Sequence, residues 1–161
     1  MANNGNFKKR ETTGYKSDIL GHGDVSLASL EVGALEPREF STGSVGLNHS
    51  GKVAIAIAGV RYNFQVSLNI VVAHSKPDDA KYIGDDRRAA FLGSAPTTLK
   101  ALGLDTALAL ARTFNSGKVG FFLNGKTTVN GQPCQVNCSI TAIGSDGDGW
   151  AAERPPERPT A

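Results

Sequence analysis

The fold is decided by the stretch FQVSLNI at residues 64–70, which returns later in the chain as CQVNCSI at residues 134–140. In each stretch an apolar residue alternates with a polar one, and the apolar positions continue at the same spacing to Val72 and Ala142. A period of two is typical of a β-strand that buries one face and exposes the other. The two stretches therefore predict two half-buried strands of the same pattern.

The likeness between the two stretches extends through most of the chain. Residues 19–30 match residues 91–102 without a gap, and REFSTGSVG at residues 38–46 lies on RTFNSGKVG at residues 112–120. We therefore predict an internal duplication. The expected fold class is α+β, mainly β, in which each copy is a short helix followed by a three-stranded antiparallel meander. A single meander of this size would be marginal alone, so we expect the two copies to pack with pseudo-twofold symmetry.

The turns of each meander are predicted from short glycine signals. Asn124-Gly125 and Asn130-Gly131 are typical of type I′ hairpin turns, because both central positions of that turn need positive φ. Ser50-Gly51 and Ala58-Gly59 hold the corresponding places in the first copy. Each copy is therefore predicted to run strand, turn, strand, turn, strand.

Leucines at helical spacing precede each meander. In the second copy Thr97 or Thr98 can cap a helix that runs to Arg112 through an Ala- and Leu-rich stretch. In the first copy Gly33 and Pro37 interrupt the pattern, so only one or two helical turns are expected there.

The chain is divided by these patterns into five segments. They are a basic N-terminal tail at 1–17, repeat 1 at 18–74, a linker at 75–90, repeat 2 at 91–144 and a polar, Pro-containing tail at 145–161. The formal charge of +2 does not require a polyanionic partner. No apolar run approaches the roughly 20 residues of a membrane span, and the basic start lacks the apolar core of a secretory signal. We therefore expect a cytoplasmic protein without a membrane partner.

A phosphate-loop pattern occurs at residues 120–127, which read GFFLNGKT. Such a loop needs a helix directly after it, so that backbone N–H groups point at the phosphates. The following residues, TVNGQP at 128–133, leave no room for a helix, and the first copy has Val53 where the motif needs a hydroxyl. The pattern is therefore interpreted as part of a hairpin.

Cys134 and Cys138 are four residues apart on a predicted strand, which places them on one face but beyond disulfide reach. Their counterparts are Phe64 and Leu68, so both cysteines are predicted to be small core residues.

The histidines and the adjacent aspartates form no catalytic pattern. None of the three histidines is repeated in the other copy, and no nucleophile or metal-ligand spacing surrounds them. We therefore expect a protein that is not an enzyme and that has no cofactor and no metal site.

Both copies share basic and aromatic positions, which are the candidate binding residues. Phosphates attract Lys and Arg, and nucleic-acid bases stack on rings, so paired basic positions beside rings suit a nucleic-acid strand. The candidates are Arg38 and Arg112, Lys52 and Lys126, Phe40 and Phe114, with Lys8, Lys9 and Arg10 of the head added.

The functional prediction is a non-enzymatic protein of phage or plasmid accessory type that binds single-stranded DNA or RNA. The alternative is a structural or assembly protein, such as a virion or complex subunit, that docks through sheet edges and tails. A homo-oligomer and a protein partner stay open under both hypotheses.

Overall fold

The computed structural model describes residues 14–154, which are mainly β. The helical segments are α1 at Lys16–Leu20, a 3-10 turn at Leu27–Leu30 and α2 at Asp85–Leu92. The strands are β1 at Gly14–Tyr15, β2 at Asp24–Ser26, β3 at Glu36–Glu39, β4 at Val45–Ile57, β5 at Val60–Val72, β6 at Leu108–Thr113, β7 at Val119–Val129, β8 at Gln132–Ala142 and β9 at Trp150–Ala151. No helix in this range is long and apolar enough to cross a membrane.

Seven of the strands form one antiparallel sheet in the order β2-β6-β7-β8-β5-β4-β3. Strands β1 and β9 pair with each other in parallel, outside that sheet. The consecutive strands β3, β4 and β5 lie on one side of the centre, and β6, β7 and β8 lie on the other. Two sets of three consecutive strands therefore meet along β5 and β8.

The register at the centre places one pair of residues that match in the sequence opposite each other. Leu68 lies opposite Cys138, which is its counterpart in the alignment of the two stretches. On either side of this pair, Phe64 lies opposite Ala142 and Val72 lies opposite Cys134. The pairing of β5 with β8 is therefore symmetric about the Leu68–Cys138 pair.

One face of the sheet is buried in the core of the protein. Alternate residues of β5, from Tyr62 to Val72, and of β8, from Cys134 to Ala142, are at most 3% exposed. They belong to one apolar cluster with Ile19 of α1, Leu27 of the 3-10 turn and Phe91 of α2. We call this side the core face and the other side, which carries the polar residues of the same strands, the open face.

The helix predicted to run from Thr97 or Thr98 to Arg112 is wrong. Residues 98–107 form turns, and the following residues form β6, which pairs with β7 from Leu110 opposite Phe122 to Thr113 opposite Val119. The ladder satisfies the backbone groups along a neighbouring strand, and this tertiary pairing outweighs the modest helix propensity of Ala and Leu. The first copy forms one 3-10 turn, and α2 lies at residues 85–92, where the linker was predicted.

Two of the four predicted turns are wrong. Gly51 and Gly125 lie inside the long strands β4 and β7, where the ladder continues without interruption. The other two predicted turns do form, at Ala58-Gly59 and at Asn130-Gly131. The φ angles are 53° and 80° in the first turn and 50° and 78° in the second. Positive φ at both positions is the geometry of a type I′ turn, and it fixes the register of both long hairpins.

Two buried serines hold the ends of these hairpins. Ser75 Oγ accepts a hydrogen bond from the amide of Val45 at 3.0 Å, and Ser145 Oγ accepts one from the amide of Val119 at 3.0 Å. Both serines are at most 1% exposed, so each satisfies a backbone donor that water cannot reach. The same bond thus occurs at the same place in both halves.

The two ends of the described chain are joined by an ion pair. Asp18 accepts a hydrogen bond of 2.6 Å from the guanidinium of Arg154 and one of 2.8 Å from the hydroxyl of Tyr62. The Arg154 hydrogen bond lowers the pKa of the Asp18 carboxyl, and the Tyr62 hydroxyl adds to the lowering against the opposing effect of burial. The Asp18 side chain is only 8% exposed, whereas that of Arg154 is 43% exposed, so solvent partly screens the pair from the arginine side.

Replacing Asp18 with Asn is expected to lower the free energy of unfolding at pH 7 by about 1 kcal/mol, because charge-assisted hydrogen bonds are lost. The pKa of Asp18 is lower in the folded protein than in the unfolded one, where it has its ordinary value of about 4. The carboxylate therefore stabilises the fold at pH values above about 4. The difference between wild type and Asp18→Asn should therefore shrink as the pH falls below that value. Denaturant unfolding of both proteins at a series of pH values measures it. A difference that stays constant down to pH 2 would contradict the role of the charge.

Candidate nucleic-acid interface

The four basic residues predicted from the repeat lie on the open face of the sheet. Directly opposed residues of a ladder project from the same face, so the register assigns each side chain to a face. Arg38 lies opposite Gly46 and Lys52 lies opposite Gln65, while Lys126 lies opposite Gln135. None of these residues belongs to the core face, and all four cations, including Arg112, are exposed.

Two rows of directly opposed residues carry these cations across the sheet. The first row is Arg38, Gly46, Val71, Gln135 and Lys126. The second row is Lys52, Gln65, Thr141, Gly120 and Arg112. Each row begins and ends with a cation and spans five strands, or about 19 Å at the usual strand spacing. The alignment of the two copies maps one row onto the other in reverse order.

The two arginines stack on the predicted aromatic residues. The guanidinium carbon of Arg38 lies 5.4 Å from the ring centroid of Phe40, and that of Arg112 lies 5.3 Å from the ring of Phe114. Arg112 also lies 4.8 Å from the centroid of Phe122. These distances are in the range of cation–π contacts, which orient the planar guanidinium while its N–H donors stay available. The rings therefore support the arginines and are not left bare for bases.

The structure separates each lysine from the arginine of its own copy. Lys52 and Arg38 lie in different rows, six residues apart along the ladder of β4 and its neighbours. Lys52 instead lines one cleft with Arg61 and another with Lys118. The head residues Lys8, Lys9 and Arg10 lie outside the described residues.

Amide and hydroxyl side chains fill the open face between the two rows. The amide nitrogen of Asn48 donates to Asn69 Oδ1 at 2.7 Å, and Gln135 donates to Asn124 Oδ1 at 3.3 Å. Asn69 lies opposite Asn48 and Asn137, and Asn137 also lies opposite Asn124, so asparagines occupy four adjacent strands. Each amide offers both a donor and an acceptor, as the polar edges of bases require. The asparagines were not predicted as binding residues from the sequence, although Asn69 and Asn137 are polar positions of the two opening stretches.

A cleft of about 450 Å³ opens beside the second row. Its walls include Lys52, Arg61 and Asn63 from the open face, and Tyr62 and Trp150. A neighbouring cleft of about 290 Å³ shares Lys52 and contains Lys118. Sequence analysis missed Arg61, Lys118 and Trp150 because none of them is repeated in the other copy.

The phosphate-loop pattern has no loop to form. Residues 120–127 lie within β7, with every residue of the pattern paired to β8. An extended strand points its successive N–H groups to opposite sides, so they cannot converge on one phosphate. The pattern is interpreted from the sequence as part of a hairpin, and it does form one strand of a hairpin. The turn of that hairpin follows the pattern, at Asn130-Gly131.

The prediction that both cysteines are core residues is confirmed. Cys134 and Cys138 are unbridged, and they are 3% and 0% exposed. Burial raises the pKa of the Cys134 thiol to about 11 and that of Cys138 to about 12. The reactive thiolate is therefore scarce in the folded protein at neutral pH.

Neither cysteine is expected to react with a thiol reagent such as Ellman's reagent at pH 8 while the protein is folded. Unfolding in guanidinium should release two fast-reacting thiols, since the unfolded side chains regain an ordinary pKa of about 8.5. Absorbance after mixing, with and without denaturant, measures both states. Rapid reaction in the native protein would show that the core face opens locally.

Two of the three histidines make local contacts. His22 packs edge-on against Phe121 with ring centroids 5.9 Å apart, and His74 Nδ1 lies 3.2 Å from the carboxylate of Asp79. Between residues 14 and 154, no three side chains of His, Cys, Asp or Glu gather in a way that could hold a metal ion.

The chain matches no protein family model, no curated protein and no solved structure. Any assignment of function therefore rests on the geometry of the open face and its clefts.

Proposed function

We propose that this protein binds single-stranded nucleic acid across the open face of its sheet. The observation that carries the proposal is the placement of the four repeated cations on one face, in two rows that cross the sheet. Among residues 14–154, none of these four cations has a carboxylate oxygen within 4.0 Å. Their charge is therefore available to phosphates.

The rest of the face suits the other groups of a nucleic-acid strand. Asparagine and glutamine side chains between the rows can donate to and accept from base edges. Bases can stack on a guanidinium plane that is already supported by a ring. This arrangement favours a strand whose bases are unpaired, because a duplex hides those edges and planes.

We also propose that the chain arose by internal duplication, with the two meanders related by a pseudo-twofold axis through the Leu68–Cys138 pair. Three repeated features support this proposal: the symmetric register of β5 and β8, the buried Ser75 and Ser145, and the arginine–ring pairs. A strand bound across such a face would meet two similar sets of contacts.

The proposal predicts salt-dependent binding of a labelled single-stranded oligonucleotide. Four phosphate contacts correspond to a slope of about −3 in a plot of log K against log salt, at about −0.7 per contact. The double variant Arg38→Ala/Arg112→Ala should bring the slope to about −1.4 and weaken binding at low salt. Fluorescence anisotropy at several salt concentrations measures both quantities.

The matched control removes two exposed cations from elsewhere, as Arg87→Ala/Lys100→Ala. Arg87 belongs to α2, and Lys100 belongs to the turns that follow it. This variant has the same net charge as the test variant and should retain the wild-type slope. Equal losses in both double variants would show only general attraction by net charge, and no binding of the wild type at low salt would exclude the proposal.

A second candidate function, assembly with protein partners, is favoured by exposed leucines near one edge. Leu108 and Leu110 of β6 are 49% and 59% exposed, and β6 lies beside the edge strand β2. Large apolar side chains grouped on a surface are typical of protein contacts. Light scattering distinguishes the candidates, because a defined oligomer that Leu108→Ser/Leu110→Ser dissociates would favour assembly.

A further inference from the structure

The cleft of about 450 Å³ combines positive charge with aromatic side chains. Lys52 and Arg61 bring positive charge to one side, and Tyr62 and Trp150 bring an aromatic wall to the other, with ring centroids 5.3 Å apart. The volume of about 450 Å³ falls within the roughly 300–1,000 Å³ of small-molecule sites. We infer that this cleft binds one nucleotide, with the phosphate on Lys52 and Arg61 and the base against Trp150.

The cations of the cleft are free of acidic partners. Lys52 and Arg61 lie opposite the uncharged residues Gln65 and Ala56, and both side chains are exposed. Within the described part of the chain, neither forms an ion pair, and neither does Lys118 in the adjoining cleft. With no carboxylate to neutralise them, both cations can donate charge-assisted hydrogen bonds to a bound phosphate.

The aromatic wall is held rigidly, which reduces the entropy lost when a base stacks on it. Tyr62 is 3% exposed, and its hydroxyl is bonded to Asp18. Gly14 lies against both rings so closely that a β-carbon there would approach each of them within 2.7 Å. The paired strands β1 and β9 thus fix the position of the indole, which is half-buried and lines the cleft.

The cleft has no equivalent in the second half of the sequence. Four residues, Val60 to Asn63, lie between the turn at Ala58-Gly59 and Phe64, but only the counterparts Gln132 and Pro133 lie between the turn at Asn130-Gly131 and Cys134. These counterparts supply neither a cation nor a ring. The two hairpins therefore carry different side chains next to their turns, and the cleft forms at the turn of the first hairpin.

The inference deepens the proposed function and rests on it, because Lys52 belongs to both the second row and the cleft. A strand that lies along the row would place one nucleotide in the cleft, and the polar side chains of Asn63 and Gln65 would stand beside the base and sugar. A free nucleotide offers the same phosphate and base, so it tests the cleft without the strand.

Trp150 is the only tryptophan of the chain, so its fluorescence reports on the cleft alone. Thymidine 5′-monophosphate is expected to change the emission saturably. Thymidine and inorganic phosphate, which each offer half of the contacts, should bind at least about tenfold more weakly. Arg61→Ala should weaken binding of the nucleotide about tenfold, as the loss of one charge-assisted hydrogen bond implies, and Lys100→Ala should leave it unchanged.

Two results would overturn the inference. The first is an emission of Trp150 that the nucleotide does not change at any concentration tested. The second is equal binding of inorganic phosphate and the nucleotide, which would make the cleft an anion site only. A labelled oligothymidine separates this failure from that of the proposed function. Oligonucleotide binding by anisotropy without any change in Trp150 emission would overturn the cleft but retain the open face. Nucleotide binding without oligonucleotide binding would support the cleft and overturn the proposed function.

Discussion

Replacing Gly46 or Gly120 with Ala is expected to lower the free energy of unfolding by about 3 kcal/mol or more. A β-carbon at Gly46 would collide with the carbonyl oxygen of Ile70, and one at Gly120 would collide with that of Ile140. Both carbonyls belong to backbone in the middle of the sheet, so they cannot rotate away as a side chain would. The strands would have to separate locally, and overpacking of this kind is costly.

The control is Gly125→Ala, in the same strand as Gly120. No atom lies within 4 Å of the position that its β-carbon would take, so the substitution is expected to be neutral or slightly stabilising. Denaturant unfolding of the three variants measures the difference. Wild-type stability of Gly46→Ala and Gly120→Ala would mean that β4 and β7 lie farther from their neighbours than the structure places them.

Replacing Phe121 with Ala is expected to cost about 3–5 kcal/mol, the range for deletion of a buried ring. Phe121 is fully buried on the core face, where it packs against Phe64 with ring centroids 5.8 Å apart. The adjacent Phe122 lies on the open face and is only half-buried, so Phe122→Ala should cost much less. The two neighbouring phenylalanines thus lie on opposite faces of the sheet, because successive residues of a strand point to opposite sides.

Substitutions at these two positions test stability and binding separately. Phe122 supports the guanidinium of Arg112, so Phe122→Ala should weaken oligonucleotide binding while the protein stays folded. Thermal unfolding and anisotropy on both variants provide the two readouts. Equal losses of stability at the two positions would contradict the assignment of faces, and unchanged binding by Phe122→Ala would remove the ring from the interface.

The strands at the centre of the sheet could be predicted because their pattern has one interpretation. The alternation persists over seven residues at 64–70 and nine at 134–142, and no helix periodicity competes with it. Asn130-Gly131 could be predicted for a similar reason, since the turn type needs those residues. Asn124-Gly125 carries the same signal, yet it lies in an extended strand because the ladder with β8 continues through it.

The segment before the second meander could not be assigned from its own residues. Leu108 and Leu110 fit both a helical and an alternating pattern, and only the pairing with β7 decides between them. By contrast α2 had a usable signal. Asp85 and Asp86 in the first turn, followed by good helix formers to Leu92, are typical of a helix start, although they stood in the segment interpreted as linker.

The candidate residues of the open face could be found from the repeat, but their arrangement could not. The sequence pairs Arg38 with Arg112 and Lys52 with Lys126, whereas the rows join Arg38 with Lys126 and Lys52 with Arg112. That exchange depends on the register between β5 and β8, which no local pattern specifies. The cleft was missed for a related reason, because Trp150 reaches it only through the pairing of β9 with β1.

The pairing of β1 with β9 has a consequence for how the chain can be connected. Residues 14 and 150 lie side by side in one ladder, and the Asp18–Arg154 ion pair lies next to it. A short linker could therefore join these ends, and new ends could be opened between the exposed residues Pro77 and Asp78. Such a circularly permuted chain would start with the second meander and finish with the first. If the order of the two meanders carries no information for the fold, the permuted protein should form the same seven-stranded sheet.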